Sequence, residues 1–235
     1  CRSLMKKYSH LLFDLDKTIW DFAINSEDTL RELYDDFSLK RLGISDFMTF
    51  FRDYEKINLE LWECYRQNGI SKSDLIYMRF YKAFLLYGID DLALSKDFSE
   101  KYLQVLPAKN KVFPGTYETL DYLGGRYTLH IVTNGFEEVQ YRKIHYAGLE
   151  KYFDRVITSE KAGCKKPDRM FFEYTLKEIN AAAKDCLMIG DDMEVDLAGS
   201  RRAGIDQVFC NFENIRHDES FTFEISQIND LRTFL

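Results

Sequence analysis

The chain is short of the residues and patterns that would place it in several large functional classes. Its five cysteines (Cys1, Cys64, Cys164, Cys186 and Cys210) are odd in number, widely spaced and include no CxxC pair. A disulfide framework and a structural zinc site are therefore not expected, and a reducing cytoplasm is the expected compartment. Four histidines (His10, His130, His145 and His217) show no metal-ligand spacing and read as ordinary surface or core residues, His130 lying inside an apolar run. No stretch approaches the roughly 20 apolar residues that span a bilayer, and no secretory apolar region is visible. The net charge is −7 and the basic residues are scattered, so neither a nucleic acid polymer nor an anionic membrane is an expected partner. Repeats, low-complexity tracts and long flexible linkers are missing too. Met5-Lys6-Lys7 reads as an ordinary translation start, so residues 1–4 are expected not to be native and carry no argument, Cys1 included.

What is present is a hydrophobic content of 46% over 235 residues, enough for one generous core or a core with a subsidiary domain. Short apolar runs recur at 10–14, 127–134, 154–160, 185–191 and 206–211. Between the later runs lie helix-like segments. One ends at Gly148, one starts at Pro167 and one ends at Gly204, which are boundary signals for helices. Strands alternating with helices predict an α/β fold, a Rossmann-like parallel sheet covered on both faces. Residues 22–106 differ, with no strand signal. Phe47, Phe50, Phe51, Tyr54, Ile57, Leu61 and Tyr65 fall at three- and four-residue intervals, one apolar helix face, and similar patterns follow from Ser71 and Ser95. The expected organisation is an α/β core from 1–21 and 107–235 with an inserted all-helical domain over 22–106.

Ligands of open parallel sheets bind beyond the carboxyl ends of the strands. Asp14-Leu15-Asp16-Lys17-Thr18 follows the first run, and Thr133-Asn134-Gly135 the second. Lys165-Lys166-Pro167-Asp168 follows the third, and Gly190-Asp191-Asp192 the fourth, with Asp196 close behind. Several acids, a small hydroxyl and a lysine near one point suit phosphoryl transfer through a carboxylate nucleophile, which divides one hard displacement into two steps. Carboxylates repel a phosphate dianion, so a hard cation is expected among them, and Mg²⁺ suits an all-oxygen site. A lysine and hydrogen-bond donors would serve the remaining negative charge. Residues two apart on a strand face the same side, so Asp14 and Asp16 are expected to flank one reacting phosphate, one attacking and the other handling the leaving-group proton.

"DLDKT" (14–18), the Thr133 strand end, Lys166-Pro167 and "GDDMEVD" (190–196), in that order, resemble the four motifs of the haloacid dehalogenase superfamily in its phosphatase branch. The resemblance implies Asp14 as nucleophile and Asp16 as general acid/base. It implies Thr133 and Lys166 as phosphoryl ligands, with Thr18 and Asn134 as further phosphate-binding candidates. Mg²⁺ would be held by Asp14, the main-chain carbonyl of Asp16 and Asp191, supported by Asp192 or Asp196. The helical insert is similar to the family's cap. Dehalogenases of this family lack the second motif-one aspartate and need no Mg²⁺, so a phosphatase is expected; a sugar-phosphate mutase and a catalytically silent regulatory protein are the alternatives. Cys164, next to the lysine pair, reads as a buried or loop cysteine.

Residues 51–80 and "TNGFEEVQ" (133–140) resemble bacterial pyrimidine 5′-nucleotidases of the house-cleaning type. That implies hydrolysis of nucleoside monophosphates such as dUMP, dTMP or UMP, with small phosphorylated acids (phosphoglycolate-like) and sugars as the other substrates. Asn58 and Trp62, four apart on one helix, are the candidates for meeting a base by hydrogen bond and stacking. The alternatives are an Asn58 facing water and a Trp62 packed between helices. Arg79 is a phosphate or ribose contact, or a surface charge. The expected assembly is a monomer or homodimer.

Overall fold

The computed structural model describes residues 7–235; Cys1, Met5-Lys6 and the reading of residues 1–4 lie outside the described residues. The chain divides into two compact units: Asn110–Leu235 with the chain up to Phe22, and Ala23–Lys109. These divisions fall one and three residues later than the sequence signals suggested.

The first unit is built on strands β1 (His10–Phe13), β2 (Thr128–Thr133), β3 (Phe153–Thr158), β4 (Cys186–Gly190), β5 (Asp206–Cys210) and β6 (Phe223–Ile225). They form one six-stranded sheet in the order β3-β2-β1-β4-β5-β6, with every pair parallel. Leu12, Val132, Ile157 and Met188 from four strands are buried with Phe171 and Phe172 of a covering helix. Full burial of each such side chain contributes about 1.5–3 kcal/mol, and burial on both faces explains why the strands read as continuous apolar runs. Register sets the site. Phe13 lies opposite Ile131 on one side and Ile189 on the other, so the loops leaving β1, β2 and β4 start at nearly one level. Strand β6 has three residues, too few for a periodic signal in the sequence.

The helices of this unit follow their caps rather than the proline and glycine marks alone. Helix α5 (Thr116–Gly124) precedes β2, α6 (Glu137–Tyr146) follows it, and the single turn α7 (Ser159–Ala162) follows β3. Helix α8 (Arg169–Glu178) begins after Asp168, whose carboxylate accepts the Met170 amide at 2.9 Å. Pro167 thus stands outside the helix it was expected to open. After β4 the chain forms a π-helical turn, Met193–Ala198, that runs into a short α-helix, Gly199–Arg202.

The second unit contains α1 from Ala23 on (the helix spans Phe22–Asp36), α2 (Phe47–Arg66), α3 (Lys72–Leu85) and α4 (Leu92–Val105). Asp46, Ser71 and Asp91 cap the last three by accepting backbone amides, each such cap contributing about 1 kcal/mol. Aromatic rings fill the interior: Tyr54 stacks on Phe80 at 4.9 Å, and Phe80 meets Phe98 at 5.0 Å. On α2 the buried face includes Asn58, while Ile57, expected on that face, is only half-buried. A polar residue holds a core position there because it has partners within the unit.

Candidate active site

Strand β1 ends at Phe13, so Asp14 and Asp16 stand just beyond it. The alternation of a strand therefore does not aim them; a turn does. The Asp14 amide donates to the Ile189 carbonyl at 2.9 Å, continuing the ladder one residue further. Ile19 and Trp20 then donate back to the Leu15 carbonyl, and Lys17 donates to the Trp20 carbonyl. Lys17 adopts a left-handed backbone with φ of 63°, the conformation that closes this turn. Asp14 is left buried and Asp16 half-buried.

Lys166 sits at the centre of the buried acids. Its Nζ donates to Asp14 Oδ1 at 2.7 Å, Asp196 Oδ1 at 2.6 Å and the Val132 carbonyl at 2.9 Å. An ammonium has three hydrogens, so all are used in this arrangement. Lys165, the other member of the pair, is half-buried. Asn134 was expected to bind phosphate. Its side chain clamps the Lys166 backbone, donating to the carbonyl at 2.8 Å and accepting the amide at 2.9 Å. That clamp holds this loop with one of the two amide hydrogens. Thr18 differs likewise: it is fully buried, and its hydroxyl donates to Asp191 Oδ1 over a long 3.4 Å, orienting an acid rather than facing a ligand.

Thr133 is the hydroxyl with a proton to offer. Its oxygen accepts from the Gly135 amide at 3.1 Å and from Gln140 Nε2 at 2.7 Å. Two accepted bonds fill both lone pairs and leave the hydroxyl hydrogen available as a donor. Gly190 is required by packing, since a Cβ there would lie 2.4 Å from Asp196 Oδ2. Asp192 caps the helical turn after β4, accepting the Glu194 and Val195 amides, and its own amide donates to Asp196 Oδ2 at 3.2 Å.

Asp14, Asp191 and Asp196 each offer a carboxylate oxygen within 4.8 Å of the others. Burial pushes the Asp14 carboxyl up to about 7, against the opposing pull of Lys166 and with the charges of Asp196 and Asp16 adding to the rise. Asp191 is raised well above the ordinary carboxylate range, first by burial and then by Asp196 and Asp14. Asp196 is raised by burial, against Lys166. Burial also works against the charge of Lys166, but the two acids outweigh it and its pKa rises. One buried ammonium serves two buried acids and the half-buried Asp191, whose rise Lys17 only partly offsets, so the cluster is short of positive charge. The oxygen donors and the missing positive charge both fit a small hard divalent cation. No histidine belongs to the cluster; His130 is buried and stacked on His10 at 5.3 Å, and burial lowers it to about 4. Cys164 is a half-buried loop thiol, pushed up by burial.

The sequence reading missed two residues, both on α6. Lys143 Nζ pairs with Asp16 Oδ1 at 2.6 Å, and Gln140 Nε2 donates to Asp16 Oδ2 at 3.0 Å. Both are buried, on the same face as Val139 and Ile144. Polar side chains on the inner stripe of a helix that follows a strand end were the available signal. In the helical unit, Asn58 and Arg79 come together: Nη1 of the buried Arg79 donates to Asn58 Oδ1 at 3.2 Å. The alternatives of a solvent-facing Asn58 and a surface Arg79 are thereby overturned. The Arg79 guanidinium lies over Phe80 and Tyr102, with Nη2 unpartnered. Trp62, half-buried, packs edge-on against Tyr65 at 5.7 Å.

The sequence model of the haloacid dehalogenase-like hydrolases matches residues 8–204. Pyrimidine 5′-nucleotidase PynA of Streptococcus pneumoniae is 32% identical over 95% of this chain and 93% of its own. Pyrimidine 5′-nucleotidase YjjG of Escherichia coli is 27% identical over 97% of this chain and 98% of its own. A crystal structure of the HAD-hydrolase YfnB from Bacillus subtilis, bound to magnesium, superposes with a TM-score of 0.88 at 28% identity, covering 97% of this chain and 98% of that one. Matches that span the sheet, the helical insert and all four strand-end loops leave a single placement: this chain belongs to the haloacid dehalogenase-like hydrolase family.

Proposed function

We propose that the chain is a Mg²⁺-dependent phosphomonoesterase working through an aspartyl-phosphate on Asp14, with nucleoside monophosphates as substrates. The observation that carries this reading is the pairing of two acids with separate environments. Asp14 is buried against Lys166, and Asp16 is half-exposed and held by α6. Asp14 attacks phosphorus as the bond to the leaving oxygen breaks, and Asp16 gives that oxygen its proton. Asp16 then takes a proton from water, which attacks phosphorus, releases phosphate and restores Asp14. Thr133 donates its hydroxyl hydrogen to a phosphoryl oxygen, and the Lys166 charge offsets the negative charge gathered there.

Asp14 and Asp191, with Asp196 supporting, are the carboxylates that would hold Mg²⁺, joined by the Asp16 main-chain carbonyl. Bound there, the ion supplies the charge that lets a phosphate dianion approach a carboxylate. Asp192 supports the set through its amide to Asp196. The named activities of PynA and YjjG support a pyrimidine nucleotide as substrate, and the helical unit, with Asn58, Trp62 and Arg79, is the proposed source of selectivity. Phosphate release from nucleoside monophosphates and sugar phosphates, with Mg²⁺ and with chelator, tests the proposal. Metal-dependent release strongest on UMP, dUMP or dTMP is expected; release that persists under chelator, or none from any substrate, refutes it.

A further inference from the structure

The two oxygens of Asp16 have separate partners on one helix. Lys143 takes Oδ1 at 2.6 Å and Gln140 takes Oδ2 at 3.0 Å. The two residues are three apart on α6, hence neighbours on one helix face, and a single rigid element sets both contacts. Each is itself fixed. Lys143 is 3% exposed, with its ammonium 4.4 Å from the Trp20 ring centroid. Trp20 belongs to the same turn as Asp16, bridged to it by backbone pairing. Gln140 is fully buried and divides its amide hydrogens between Asp16 and Thr133 Oγ1, the latter at 2.7 Å. Gly135 leaves it room, since a Cβ there would fall 2.4 Å from Gln140 Nε2. A buried lysine and a buried glutamine aimed at one half-exposed carboxylate carry a cost in desolvation and side-chain entropy. A surface aspartate with no task would not need them.

Resting on the phosphomonoesterase reading above, we infer that Gln140 and Lys143 are positioning residues for the Asp16 acid/base, and that Gln140 also ties its orientation to that of Thr133. A carboxyl that passes a proton to a leaving oxygen must lie within hydrogen-bond reach of it. An aspartate in a half-open turn would otherwise rotate about its side-chain torsions. The clamp removes that freedom, and Gln140 sets the proton donor and the Thr133 hydroxyl in one frame. In the step concerned, Asp16 first takes up a solvent proton on a lone pair the clamp leaves free. The phosphorus–oxygen bond to the leaving group then breaks, its electron pair takes that proton, and the new bond forms to an Asp14 oxygen. A nucleoside alkoxide is a poor leaving group and needs that proton. A p-nitrophenolate leaves without it. Loss of the clamp therefore falls selectively on the alkyl ester.

The test measures kcat and KM for UMP and for p-nitrophenyl phosphate, with saturating Mg²⁺, in the unmodified chain and in Lys143→Met and Gln140→Met. Methionine keeps the volume and the apolar contacts, and circular dichroism melts check folding. If one variant is unfolded at the assay temperature, the other carries the test. Each variant is expected to lose kcat on UMP about tenfold or more beyond its loss on p-nitrophenyl phosphate, with KM for UMP changed by no more than about twofold. Equal losses on both substrates would reduce the pair to a structural role and overturn the inference, as would no loss on either. Failure of the unmodified chain to hydrolyse either ester overturns the phosphomonoesterase reading itself, a result distinguishable from an active chain with unselective variants.

Discussion

Replacing Lys166 with methionine tests the electrostatic core of the site most directly. The ammonium is 1% exposed and bonds two acids and a carbonyl. Methionine fills most of its volume but leaves the Asp14 and Asp196 carboxylates facing each other and Asp191 with no cation between them. Removing one partner of a buried ion pair costs about 3–5 kcal/mol. The carboxyls can lower that cost by taking up protons, so the loss depends on pH. In the parent, burial already holds Asp14 up to about 7, and without Lys166 it rises further. A carboxyl whose folded pKa lies above its unfolded value binds more protons in the native state between the two, so its contribution to stability falls as pH rises from the unfolded value to the folded one and levels off above it. Below pH 7 both chains carry the Asp14 proton and the deficit is small. Above it the parent ionises while the variant keeps the proton, and the deficit grows by about 1.4 kcal/mol per pH unit for each proton retained. Urea unfolding at pH 6 and pH 8, with chelator to keep divalent ions away, reads both quantities. A deficit under about 1 kcal/mol at pH 8, or one that shrinks as pH rises, would refute the reading of a single cation stabilising a crowded acid cluster.

Three further outcomes are expected. Asp14→Asn keeps the shape of the site but removes the nucleophile, so phosphate release should fall at least about a thousandfold with an unchanged circular dichroism spectrum; an active variant would move the covalent step to another residue. Gly190→Ala places a methyl 2.4 Å from Asp196 Oδ2, and the displacement should cost about 1–3 kcal/mol; a melting temperature equal to the parent's would show the contact to be soft. Mg²⁺ should raise the melting temperature of the parent, by about 2.7 kcal/mol of stabilisation at a hundredfold excess over Kd, and Asp191→Asn should abolish the rise; an unresponsive parent would argue against cation binding by these acids.

On the proposed function, the arrangement separates two tasks that both need carboxylates. Buried Asp14 sits with Asp191, Asp196 and Lys166, where charge is crowded and a cation is called for. Half-exposed Asp16 is kept apart by a lysine and an amide from α6. In that proposal environment, rather than residue type, assigns the roles. The helical unit has its own aromatic core, with Phe50 stacked on Phe84 at 5.9 Å besides the Tyr54–Phe80 pair.

Much of this protein was legible along the chain because the signals are local. Apolar runs bounded by polar residues mark strands, three-and-four spacing marks the helices of the insert, and acids beyond strand ends mark the site. Those patterns depend on neighbours a few residues away; they identified the sheet and the helical insert, and they named Asp14, Asp191 and the lysine–proline loop as candidates that the fold brings together. Tertiary structure alone decided what each polar atom does. It spent all three Lys166 hydrogens on groups 30 to 152 positions away. It turned Asn134 onto a loop backbone 32 residues on, and brought Lys143 to Asp16 across 127. It also put Asn58 rather than Ile57 fully into the helical core, where Arg79, 21 residues later, waits as its donor. A hydrogen bond is a matter of about 3 Å and a direction, and no local pattern carries that information; it exists only once packing has fixed where every partner stands.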